Sequence, residues 1–210
     1  MRRMWLAGAA VSMCLALGSG VVDAAARTPL GFNITVNSGA EAGRGGTGAV
    51  VPIPLWKSTS TMTAVRYGAP GFPSRAVARA SHGEANFFYC GASTARSQAR
   101  QRVAIHGRDR LIDGGGLSLD LTVRIGSATN DGDAGRMIVR YLGGAGDVIG
   151  ELGTAAIEAT GGSMPRTKAS GVVPAGTRAL QVVLEGTGTA GTSCDVYFDN
   201  VSVKLVPAGS

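Results

Sequence analysis

The chain has 210 residues, 33 of them glycine, and Lys plus Arg outnumber Asp plus Glu by 20 to 14. That length suits one domain with a full core, and no stretch of ten or more residues sustains a 3.6-residue apolar period, which excludes a helical bundle. The arginines are dispersed rather than run together, so a nucleic-acid footprint is not expected, while attraction to anionic polymers stays open.

At the start, Arg2 and Arg3 precede a mostly apolar run over 4–22, followed by Asp23-Ala24-Ala25-Ala26. A basic tip, a short apolar core and small residues at the cut predict a secretory signal peptide, cleaved after Ala24 or Ala26. Met13 stands where a lipoprotein anchor at Cys14 would want Gly or Ala, so lipidation is not expected. Residues 1–26 are thus read as a leader and 27–210 as one exported domain, secreted or periplasmic, without a membrane span and with a net charge of about +5.

Past the leader, short β-favouring runs recur between Gly-rich breaks, the pattern of an antiparallel β-sandwich or barrel. Strands are predicted near 32–36, 49–56, 61–66, 75–80, 86–90, 97–105, 116–125, 136–142, 148–152, 168–173, 178–184 and 196–205. The clearest sets Leu117, Leu119, Leu121, Val123 and Ile125 against Ser118, Asp120, Thr122 and Arg124. Such alternation means one face in the core and one in water. The run 136–142, the turn 143–147 and Val148 read as a hairpin. So do 178–184 and 196–205, joined by a Gly/Thr/Ser-rich loop. In the last run Val196 and Phe198 share one parity, while Val201, Val203 and Leu205 share the other. The phase slips at Asp199–Asn200, as at a β-bulge, and a carboxylate there needs a partner. Two cysteines follow the leader, Cys90 and Cys194. An even count in an oxidising compartment favours a bridge, and two buried free thiols are the alternative.

Four motifs in order, NITVNSGAEAG (33–43), ANFFYCG (85–91), VPAGTRALQVVL (173–184) and VYFDNVSVKL (196–205), resemble secreted carbohydrate-binding modules of the galactose-binding-like jelly-roll superfamily. Cys90 replaces a more usual Gly in the second motif. The resemblance covers most of 32–205. It implies an all-β sandwich of two antiparallel sheets with a structural calcium ion near one edge, held by an early-strand Glu and a last-strand Asp. By position these are Glu41 and Asp199. Hard oxygen ligands suit Ca²⁺, and the plain alternative is a surface glutamate and a bulge-capping aspartate.

Sugars are bound by stacking on exposed aromatic rings flanked by polar groups. Trp56, Tyr67, Tyr89 and Tyr141 are the candidates, each with a polar handle or a polar or Gly-rich neighbourhood; core packing is the alternative for each. His82 and His106 lack HxH or HExxH spacing, so zinc is not expected. The segment Asn130-Asp131-Gly132-Asp133 lacks the later glutamate of a calcium loop and reads as a polar turn. No GxSxG and no phosphate loop occurs, and nothing in the sequence pairs two carboxylates as glycoside hydrolysis requires. The expectation is an exported, monomeric, non-catalytic glycan-binding domain acting on a polysaccharide or cell-surface glycan. A structural or adhesive envelope protein, and a small polysaccharide-active enzyme, are the rival readings.

Overall fold

The structure is a computed structural model that describes residues 26–127, 132–158, 163–189 and 193–209. The leader expectation for 1–25, and Asn130 and Asp131 of the polar turn, lie outside the described residues. In chain order the elements are β1 (Lys57–Thr59), β2 (Thr63–Arg66), α1 (Arg75–Ser81), β3 (Asn86–Gly91), β4 (Arg96–Ala104) and α2 (Asp109–Asp113). There follow β5 (Leu117–Ser127), β6 (Ala134–Leu142), β7 (Val148–Gly153), β8 (Arg166–Val172), β9 (Ala179–Thr187) and β10 (Cys194–Pro207). They form two five-stranded antiparallel sheets, ordered β1-β4-β9-β6-β7 and β2-β3-β10-β5-β8. This is the all-β sandwich that the strand pattern predicts, in the two-sheet form that the resemblance to jelly-roll modules implies. Among the described residues no helix is long and apolar enough to cross a membrane.

The core follows from strand parity. Leu117, Leu119, Leu121, Val123 and Ile125 of β5 are buried and meet Met137, Val139, Leu180, Val182 and Leu184 of the facing sheet in one cluster. A second, smaller cluster lies outside the other sheet, where Tyr67, Phe87, Tyr89 and Tyr197 pack beneath Ala78 of α1 and Phe72. The outer face of that sheet is therefore partly roofed, and the roof's edge shapes the sites described below.

Four expectations are corrected. The run 75–80 is helical: Ser74 caps it by accepting the Val77 N–H at 3.4 Å, and Ala76, Ala78 and Ala80 favour helix. At seven residues it is too short for a helical period to register. The run 49–56 is irregular because Pro52 and Pro54 lack the N–H a ladder needs; the strand begins only at Lys57. In 32–36 a single bridge, Asn33 to Lys204, remains. There the Asn33 side chain takes a ladder's place, accepting the Val203 N–H at 3.0 Å.

The fourth correction concerns the chain end. β9 and β10 are not a hairpin; they lie in opposite sheets. Asp133 ties the end of β9 to the start of β10, accepting N–H groups from Thr189 (2.9 Å) and Asp195 (2.7 Å). A glycine-rich loop permits either route, so local sequence could not decide. By contrast β6 and β7 do form the expected hairpin, closed by Gly143 N–H to the Asp147 carbonyl at 2.9 Å. The Cys90–Cys194 disulfide is present, joining β3 to β10 with Cα atoms 5.5 Å apart.

Candidate functional site

The phase slip read in the last strand is real. Register shifts between Asp199 and Ser202, and Asn200 takes φ of +50°, so the bulge turns Asp199 toward the roofed outer face. Its carboxylate accepts from the Tyr67 hydroxyl at 2.8 Å and from the Asn200 N–H at 2.6 Å. Two glycines let neighbouring chain come close. A Cβ on Gly39 would stand 3.0 Å from Asp199 Oδ1 and 3.5 Å from Glu41 Oε1, and one on Gly83 would overlap Asp199 Oδ2. Glu41 Oε1 in turn accepts N–H groups of Ala85 (3.1 Å) and Asn86 (2.9 Å). Glu41, Glu84, Asp199, Asn37, Ser38 and Asn200 line one recess of about 210 Å³.

Asp199 is 1% exposed. Burial pushes its carboxyl up to about 7; the hydrogen bonds from Tyr67 and Asn200 oppose this, and the charges of Glu41 and Glu84 add to it. Burial also raises Glu41, again with Glu84 contributing, against the two backbone N–H bonds. Arg124 stands beside Asp199 on β5 but turns its guanidinium to the Met164 carbonyl at 3.0 Å. The recess is thus rich in negative charge, and hard oxygens are the donors a calcium ion takes. Among the described residues no group of three His, Cys, Asp or Glu side chains is gathered to hold a metal. A cation here would need neutral oxygens from the 37–39 turn as well.

The four aromatic candidates are not exposed platforms. Trp56, Tyr67, Tyr89 and Tyr141 are 7%, 3%, 5% and 3% exposed. Trp56 packs edge-on to Phe88 with centroids 5.1 Å apart, and with Tyr141 it belongs to the core between the sheets. Tyr67 and Tyr89 meet in the smaller cluster outside. The physical reason is scarcity: with few aromatic rings, the largest apolar groups go where they remove most surface from water. Trp56→Ala is accordingly expected to lower stability by about 3 kcal/mol rather than to affect binding alone.

One aromatic ring is exposed among the described residues. Phe32 is 68% exposed and directly precedes Asn33, which lines a cleft of about 420 Å³ on the same outer face. The cleft shares Ser38 and Asn200 with the carboxylate recess and is otherwise walled by Asp120, Thr122, Arg124, Arg166 and Lys204. The water-facing parity of β5 already marked Asp120, Thr122 and Arg124 as a wet row. Their convergence with the chain's first and last segments required the fold.

No protein-family model matches the sequence, and no curated protein sequence is significantly similar to it. Solved structures do share the fold. A cyclase from Fischerella sp. TAU matches with TM-score 0.57 and 16% identity, over 89% of this chain and 100% of that one. The enzymatically active domain of bacteriophage CBA120 tailspike protein 4 matches with TM-score 0.54 and 16% identity, over 83% of this chain. This chain spans only 22% of the tailspike domain's length. A xylan-binding domain, CBM22-1 of Paenibacillus barcinonensis Xyn10C, matches with TM-score 0.47 and 12% identity, over 78% and 92% of the two chains. At these identities the likeness to the cyclase and the tailspike domain is one of fold alone.

Proposed function

We propose that the chain is an exported, non-catalytic glycan-binding domain whose sugar lies in the polar cleft with one face against Phe32. The observation that supports this is that the exposed ring of Phe32 comes one residue before Asn33, which lines a trough of amide, hydroxyl, carboxylate and guanidinium groups. That is the combination sugar recognition uses, an apolar platform with polar groups for the hydroxyls. A calcium ion at Glu41 and Asp199 is part of the proposal; it would neutralise the recess and stiffen the wall that the cleft shares with it. Phe32→Ala should weaken binding to the best glycan on an array about tenfold, the equivalent of about 1.4 kcal/mol, with the melting temperature unchanged because the ring is solvated. Unaltered binding by this variant would remove the cleft from consideration.

A second reading is favoured by the carboxylates themselves. Glu41 and Asp199 flank one recess, and Asp199 carries a raised proton affinity suited to a general acid. Release of reducing sugar from a polysaccharide panel, lost in Asp199→Asn, would establish hydrolysis in place of plain binding.

A further inference from the structure

We infer that the outer face of the β1-β4-β9-β6-β7 sheet, opposite the cleft, is a docking surface for a polyanionic glycan chain, one carrying carboxylate or sulfate groups at intervals. This goes beyond the cleft proposal and stands apart from it. Arginines that are dispersed in the sequence are gathered here by strand parity. Along β4, Arg96, Arg100 and Arg102 share the face opposite core residue Ala99. Register then adds neighbours on that face: Lys57 pairs with Arg100, Glu185 stands between Gln98 and Arg136, and Gln181 between Arg102 and Arg140. Six cations thus confront two carboxylates, Glu185 and Glu151.

Those carboxylates are already engaged. Glu185 is clamped from both sides by Arg96 and by Arg136, the latter at 2.8 Å, and Glu151 lies 3.8 Å from Arg140. Lys57, Arg100 and Arg102 form no ion pair with a described carboxylate. Arg100 is nonetheless oriented, since its Nε donates to Gln98 Oε1 at 2.9 Å while the Gln98 amide donates to Glu185. The floor beneath is apolar and closed, because Val183 and Ile138 face this side yet are buried. The result is a field of guanidinium groups held on paired strands. Guanidinium forks bind carboxylate and sulfate oxygens two at a time. Anionic groups repeated along a chain match several of them at once, whereas a neutral sugar gains no charge pairing there.

The test is a binding series with the purified chain on polygalacturonate, alginate and heparin beside neutral xylan and dextran, at rising salt. Retention on one or more of the anionic chains that falls steeply with salt is expected. Arg100→Glu with Arg102→Glu should weaken it about tenfold or more, as should Lys57→Gln with Arg102→Gln more mildly. The milder pair leaves the Arg100–Gln98–Glu185 network untouched, so it reports binding even if the first pair disturbs folding. Arg75→Glu with Arg79→Glu, the same charge change on exposed α1 of the other face, should leave binding within about twofold. An equal loss from the α1 pair would reduce the effect to net charge. Equal affinity for duplex DNA or for anionic lipid vesicles would overturn the glycan assignment, and absence of binding to every polyanion would overturn the surface. Phe32→Ala should not alter polyanion binding. Loss of neutral-glycan binding in that variant alone tests the cleft, so the two proposals fail separately.

Discussion

Replacing Cys90 and Cys194 together by alanine should lower the free energy of unfolding by about 4–5 kcal/mol, read as a drop in the urea midpoint. The bridge spans 104 residues of sequence, and closing so long a loop removes much of the unfolded chain's freedom. Both sulfurs are buried in the core between the sheets, so mild reductant should leave the bond intact until the domain opens. The facing sheet accommodates it with a glycine: a Cβ on Gly186 of β9 would overlap Cys90 Sγ and lie 2.9 Å from Cys194 Sγ. Gly186→Ala should therefore destabilise the oxidised protein and be better tolerated when both cysteines are alanine. Whole domains are stable by only about 5–15 kcal/mol, so the double variant should be near its unfolding threshold at physiological temperature. A midpoint equal to that of the parent would show that the unfolded chain is restrained by something other than the bridge.

In calcium-free buffer, stability should fall as pH rises from 5 to 8. Asp199 holds its proton up to about 7 in the folded protein against 3.8 in an ordinary peptide. The folded state therefore binds more protons than the unfolded one between these values. The corresponding stability is complete below about pH 4 and is lost as pH climbs through 7, on the order of 4 kcal/mol in all. Glu41 and Glu84 face the same recess and oppose ionisation of Asp199, and only the hydrogen bonds from Tyr67 and the Asn200 N–H favour it. On the proposed calcium site, Ca²⁺ should reverse the trend, since it would bind the ionised carboxylates. At a hundredfold excess over its dissociation constant it would add about 2.7 kcal/mol, with magnesium much less effective. Asp199→Asn should flatten the pH profile and abolish the calcium response. Melting curves at pH 5 and 8, with EDTA or with Ca²⁺, decide the matter. Curves indifferent to both would leave Asp199 as a bulge cap and nothing more.

Acid is expected to destabilise the domain through a different group. Burial alone would raise the Glu185 carboxyl, but hydrogen bonds from Arg96, Arg136 and Gln98 outweigh it and hold the group down to about 2. Its contribution is present above the ordinary 4.5 and lost as pH falls from there toward 2. The two effects occupy separate pH windows, so Asp199 can be read without interference from Glu185.

Much of the sandwich was legible from residues alone. The alternation over 117–125 needs only that one face of a strand be dry, and that is a local property. The phase slip at Asp199 was visible for the same reason, since inserting one residue exchanges the two faces. The cysteine pair followed from an even count and the expectation of export. Where backbone chemistry was more specific than apolar pattern, the reading erred: prolines broke 49–56, and Ser74 with three alanines made a short helix of 75–80.

Tertiary structure decided what strand runs cannot state. Whether β9 and β10 pair or face each other depends on which strands intervene, and a glycine-rich sequence between them is silent on that. Which aromatic rings stay dry was settled by competition for a limited interior, won by Trp56, Tyr67, Tyr89 and Tyr141 and lost by Phe32. The same holds for charge. Arg100 and Arg140 are distant in sequence, yet sheet order brings β4, β9 and β6 side by side and turns their basic residues to one face. Parity along a strand is fixed by the chain itself, but adjacency between strands is a property of the whole molecule, because long-range pairing alone determines which of many similar strands become neighbours.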